Sequence, residues 1–335
     1  MRRREFIVLA GSAAAGWGLE ARAQQPGRTY RLVIVNRSGQ STDLAETAGL
    51  RYWRAWRAEL QRLGYVEGVN LVVERRETEG DTQRIDELAR RIAELKPDAI
   101  FTPAQNMAHA LKAAAITIPI VTLAVDPVES GLVDSLARPG GNITGLSLSA
   151  GAQIAAKRYA LLKEVVPAMS RIAVLILREY WEGRFGDVHR DAARQVGITA
   201  VGAPFDSAAD EREFRRIFAA IARDRADSLY LTAQAELLVH RRLIADLAAE
   251  MKLPAIGVYR EHAEAGGLMA YAVSLDDIFR RAAGYIDRIL NGANPAEMPF
   301  QQPNEFELVI NMKTARALDI QIPPALFARA DEVIE

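Results

Sequence analysis

The chain has 335 residues, 50% of them hydrophobic and 25% charged, with a formal net charge of −1 and no cysteine. That is an ordinary globular composition, long enough for two domains. The near-zero charge offers no basic field to recruit nucleic acid, and the missing cysteines exclude thiolate catalysis, disulfides and Cys-ligated zinc.

The first 25 residues, MRRREFIVLAGSAAAGWGLEARAQQ, have a basic head, an apolar centre from Ile7 to Leu19, and Ala21-Arg22-Ala23 before Gln24. This is the pattern of an export signal over 1–23 with an A-x-A cleavage site after Ala23, and Arg3-Arg4-Glu5-Phe6-Ile7 looks like a twin-arginine signal. The apolar centre is shorter than the roughly 20 residues needed to span a bilayer. The expected destination is the periplasm. Removing the basic leader would leave a mildly acidic chain.

After the leader, strand and helix patterns alternate. Strands are expected over 30–36, 70–76, 98–102, 118–125 and 142–148, with helices over 43–63, 82–95, 104–115 and 130–137. Leu50, Trp53, Ala55, Trp56 and Leu60 fall near helical spacing and read as core rather than as an aromatic binding box. The second half repeats the rhythm. Its strands are expected over 171–177, 198–203, 227–232, 254–258, 267–272 and, as the last one, 305–310. Helices are expected over 154–165, 186–196, 210–223, 236–251, 260–265, 275–290 and 313–318, with an aromatic loop over 179–185 and a final helical turn. The alternation predicts an α/β fold of two Rossmann-like parallel-sheet lobes joined by a hinge. Lobe 1 takes 30–147 plus about 275–300, and lobe 2 takes 148–272 plus about 301–335.

No G-x-x-x-x-G-K-[ST] loop, no G-x-G-x-x-G after the first strand and no G-x-S-x-G elbow occurs. His109, His189, His240 and His262 lack metal-ligand spacing and read as surface residues. No cofactor, metal or enzymatic activity is expected. The polar and aromatic residues at the carboxyl ends of the expected strands remain, where open α/β sheets bind ligands. These are Ser38, Gln40, Thr102, Ala104, Gln105 and Asp126 in the first lobe, and Tyr180, Trp181, Thr232, Gln234, Tyr259 and Arg260 in the second. The backbone N–H groups of 104–106 at a helix start suit a carboxylate. Asp126 suits an ammonium, and Tyr180 or Tyr259 suits an apolar or aromatic group.

The RRREFI leader, the stretch DPVESGLVDSLARPGGNITG over 126–145, the segment EAGGLMAYAVSLDD and the tail QQPNEFELVINMKTARALDIQIPPALFARADEVIE together resemble one family across essentially the whole chain. It is the substrate-binding proteins of ABC transporters related to tryptophan/tyrosine-type binding proteins. The resemblance implies a type I periplasmic binding fold, hinge closure over a small-molecule ligand, and delivery of that ligand by a monomer to a membrane permease. It favours an amino acid or aromatic carboxylate, held from Ser38, Thr102, Ala104, Gln105 and Asp126 on one side and from near Tyr180, Thr232 and Tyr259 on the other. Phe101-Thr102-Pro103 and Ala270-Tyr271-Ala272 stand where relatives often carry glycines, so Phe101 either narrows the pocket or fills core. A periplasmic sensor presenting its ligand to a receptor would use the same fold and pocket. An exported enzyme would need an acid or base beside a nucleophile, and no such pair is evident.

Overall fold

The computed structural model describes residues 28–36, 51–77, 85–149, 152–206 and 209–335. The expected leader, Ser38 and Gln40 lie outside them. The first sheet is built from β1 (Tyr30–Asn36), β2 (Leu71–Glu77), β3 (Ala99–Thr102), β4 (Ile120–Ala124) and β5 (Ile143–Ser147), connected by α1 (Arg51–Arg62), α2 (Ile85–Leu95) and α3 (Gln105–Ala113). Its order is β2-β1-β3-β4-β5, with every pair parallel.

The chain then enters lobe 2 through α4 (Ala152–Val165) and continues as β6 (Arg171–Leu177), α5 (Arg178–Glu182), α6 (Arg184–Gln195), β7 (Thr199–Phe205), α7 (Glu211–Arg223) and β8 (Ser228–Leu231). There follow α8 (Ala235–Val239), α9 (Arg241–Glu250), β9 (Ala255–Gly257), α10 (Arg260–Glu264) and β10 (Met269–Val273). The last elements are α11 (Leu275–Leu290), β11 (Phe306–Asn311), α12 (Met312–Ala317), α13 (Pro324–Phe327) and β12 (Glu332–Ile334). The second sheet runs β12-β11-β10-β9-β8-β6-β7, parallel except where β11 returns antiparallel to β10. The protein is therefore the two-lobed, mainly parallel α/β fold that the strand–helix alternation predicts.

Parallel sheets covered on both faces need strands apolar on both faces, and β3, β4, β5, β8 and β9 are buried along their whole length. After β10 the chain returns to the first lobe, where α11 lies along α1. Trp53 of α1 sits 5.8 Å from Phe101 and 4.9 Å from Phe279 of α11, and Trp56 stacks on Phe101 at 5.7 Å. Trp53, Trp56 and Leu60 of the stripe are core, as their spacing predicts, and Ala55 is half-buried; Leu50 lies outside the described residues. Phe101 is fully buried in that cluster and does not narrow a pocket. Near 301 the chain crosses again, and the Ser147 N–H donates to the Gln301 carbonyl at 2.7 Å, binding two crossing segments side by side.

Several local expectations fail for identifiable reasons. Residues 130–137 form turns, not a helix. Gly131 takes φ +71°, the N–H groups of Leu132 and Val133 both donate to the Pro127 carbonyl, and Lys112 Nζ holds the carbonyls of Gly131 and Leu132. The expected loop over 179–185 begins as α5, a helix too short for periodicity to reveal. The expected helix over 236–251 breaks at His240, and β12 adds a strand beyond the expected last one. His189 and His262 are buried, 7% and 2% exposed, rather than on the surface.

Candidate ligand-binding site

Each sheet reverses its direction of growth once. In lobe 1 the chain builds outward from β1 to β2 and returns on the other side of β1 as β3; in lobe 2 it goes from β6 to β7 and returns beside β6 as β8. The loops flanking such a reversal leave in opposite directions and open a crevice at the carboxyl ends of the strands. Thr102 ends β3, Asp126 follows β4, Tyr180 follows β6, Thr232 follows β8 and Tyr259 follows β9. The fold thus brings the described candidates to the carboxyl edges of their two sheets.

They divide by what their polar atoms already do. Thr102 is fully buried, and its hydroxyl lies 3.4 Å from the Ala104 carbonyl. Gln105 Oε1 accepts the Val125 N–H at 2.8 Å and so ties the start of α3 to the Asp126 loop. Thr232 donates to the Leu175 carbonyl at 2.6 Å and pairs with Gln234. Tyr259 is buried and donates to the Ala233 carbonyl at 3.2 Å. These four side chains hold the rim loops in place.

Three groups remain open to a ligand. Ala104 starts α3 in extended backbone with no side-chain cap, and among the described residues the N–H groups of Ala104, Gln105 and Asn106 have no acceptor. Free donors at a helix start favour an anion. Asp126 is half-buried, accepts the Glu129 N–H at 3.2 Å, and its charge is felt by Tyr180 and Arg184 of lobe 2. Tyr180 is half-buried, and burial first, then the carboxylates of Glu179, Glu236 and Asp126, push its hydroxyl well up, so it stays a donor. The Asp126 loop and the segment after Tyr180 approach each other across the gap, where Arg184 pairs with Glu129.

Two candidates are otherwise engaged. The Trp181 ring lies across Gly202 of β7, where any Cβ would fall 2.2 Å from the indole, and the Arg190 guanidinium sits 4.8 Å from its centre. Arg260 is held by Glu264, Glu307 and Glu332. Among the described residues no group of three His, Asp or Glu side chains could hold a metal ion, and no helix is long and apolar enough to cross a membrane.

One residue escaped the sequence reading. Arg158 of α4 is only 4% exposed, and its Nε donates to the Tyr271 carbonyl at 2.8 Å while Nη1 reaches the Tyr230 hydroxyl at 3.2 Å. The signal was an arginine standing at helical spacing among Ala155, Tyr159 and Leu162, all of them buried.

The family model for ABC transporter substrate binding proteins matches residues 53–334. The chain belongs to this family. Its members are solute-binding proteins rather than enzymes. The "Tyrosine-binding protein" of Clostridioides difficile (strain R20291) is 25% identical over 264 residues, covering 78% of this chain and 74% of the relative. Among solved structures, a conserved domain protein from Vibrio cholerae superposes with TM-score 0.81 at 27% identity, covering 91% of this chain and all of that one. A domain from Streptococcus pneumonia in complex with L-Trp superposes with TM-score 0.80 at 20% identity, with the same coverage, and shows that the fold is shared.

Proposed function

We propose that this substrate-binding protein is the extracytoplasmic receptor of an importer, capturing an amino acid with an aromatic side chain between its lobes and delivering it to a membrane permease. The observation that carries the reading is the opposition of two switch-point edges, one offering free N–H donors and Asp126, the other Tyr180. The N–H groups suit a carboxylate, Asp126 an ammonium, and Tyr180 an aromatic ring. A relative named for tyrosine binding supports the same ligand class. In this reading the leader is removed after Ala23 and the mature protein works as a monomer in the periplasm.

A thermal-shift panel of amino acids, aromatic acids, sugars and purines tests it. A ligand at 100 times its Kd stabilises by about 2.7 kcal/mol. L-tyrosine or L-tryptophan should give the largest upward shift. Stabilisation by sugars or purines alone would remove the amino-acid reading and leave the fold untouched.

A further inference from the structure

Among the described residues the arginine on α4 has no counter-charge. Burying a guanidinium is unfavourable unless it is paired as well as hydrogen-bonded. Arg158 has a carbonyl and a phenol as partners, and among the described residues no carboxylate comes within ion-pairing distance of it. By contrast Arg260, the other buried arginine of lobe 2, is surrounded by three glutamates.

The position of the guanidinium is specific. α4 runs back along the sheet from the crossing after β5, so its first turns lie towards the carboxyl ends of the strands. Tyr271, which accepts from Nε, is two residues from the end of β10, and Tyr230, which accepts from Nη1, is one residue from the end of β8. Between these strands β9 stops at Gly257, leading to Tyr259, whose hydroxyl feels both Arg158 and, from lobe 1, Tyr52. The guanidinium thus sits at the cleft edge of the second sheet, over the strand that feeds a candidate site residue. Nη2 makes no hydrogen bond among the described residues and is not sealed from solvent. Two of its nitrogens are fixed by the protein and the third is left over, which is an arrangement for holding an anion in a set direction.

We infer that Arg158 is the second-lobe anchor for an anionic group of the ligand, a carboxylate, and supplies the charge that the ligand must complement. Its narrower form, that the carboxylate is that of an amino acid, rests on the functional reading above. A carboxylate held only by lobe 1 donors would leave lobe 2 with the Tyr180 contact alone to favour closure. Arg158 gives lobe 2 a differential contact with the liganded state, which is what a ligand needs in order to shift the lobes.

The test compares the full chain with its Arg158→Gln and Arg158→Lys variants against L-tryptophan, L-tyrosine, their carboxamides, tryptamine and tyramine, by calorimetry. The Gln variant should lose about 30-fold or more in affinity for the acids, as for a truncated buried charge pair, and less than about threefold for the amides and amines, which carry no carboxylate to pair with the guanidinium. The Lys variant should fall between. Equal losses for acids and amides mean that Arg158 merely buttresses Tyr271 and Tyr230, and overturn the inference; so does an unchanged affinity for the acids. If the Gln variant does not fold by circular dichroism, the acid-to-amide ratio of the Lys variant decides in the same way. A wild-type protein that ignores amino acids but binds another carboxylate, such as indole-3-acetate, with the same loss in the variants sinks the amino-acid reading and keeps the anchor. A protein stabilised by no carboxylate at all overturns both.

Discussion

At the scale of single residues, charge without a partner is the recurring theme. Glu261 is 8% exposed, and among the described residues its Oε2 has no hydrogen-bond partner. Burial first, then Glu264, pushes its carboxyl up to about 7, against the pull of Arg51, Arg260 and its own N–H. An acid raised in the folded state contributes no penalty below its ordinary value near 4.5. As pH rises from there to about 7 the unfolded chain ionises first, so stability is lost, and the loss is complete above about 7. Glu261→Gln should therefore stabilise the protein by roughly 3 kcal/mol at pH 8 and change it little near pH 4.5. Urea titrations at the two pH values check this, and an equal difference at both would assign the effect to packing. His189 and His262 work in the opposite direction. Burial first, with nearby arginines, holds each down to about 3, so their contribution is lost as pH falls below about 6.5. Only the difference between wild type and variant isolates Glu261.

At the scale of elements, helix endings carry strain that can be removed. The turn after α3 puts Ala115 at φ +54°, and the turn after α9 puts Lys252 at φ +52°, where a Cβ crowds the next carbonyl. After α1, α6 and α11 the equivalent residues are Gly64, Gly197 and Gly292, which take that region without penalty. Ala115→Gly and Lys252→Gly should each stabilise by about 0.5–1 kcal/mol, the relief of strain less the entropy glycine adds to the unfolded chain. A rise in the urea midpoint at constant slope is the expected readout; a fall would mean that the side chains make contacts worth more than the strain. Gly145 shows the opposite constraint, since a Cβ there would fall 1.8 Å from the Thr122 carbonyl of β4.

At the scale of the whole molecule, the ion pair that bridges the opening is weak. The Glu129–Arg184 pair has side chains 44% and 69% exposed, and such pairs contribute from nothing to about 1 kcal/mol. It does not by itself hold the lobes together. In the proposed function that work falls to ligand contacts from both sides. Small-angle scattering should show a smaller radius of gyration for the protein saturated with its ligand than for the free protein, and Glu129→Ala should leave the liganded value unchanged. Superimposable curves with and without a ligand that binds tightly would sink the closure model.

The alternation of apolar strands with amphipathic helices was enough to give two parallel-sheet lobes, because a period of 2 or 3.6 is a property of local sequence. The same runs placed the candidate residues at strand ends, and the long specific strings over 126–145 and 301–335 pointed to the family. The sequence could not tell which of those residues are free. Thr102, Gln105, Thr232 and Tyr259 bond to backbone groups brought close by folding, as in the pairing of Gln105 with Val125. Nor could it separate Trp181, laid across Gly202, from its half-buried neighbour Tyr180. Residues 130–137 have helical composition, but Lys112 from another element stabilises their turns. Arg158 showed only as a cation among apolar neighbours on one helix. Local sequence determines periodicity and hence architecture; only tertiary structure decides which polar atoms are left without partners, because those partners come from strands and helices far away in the chain.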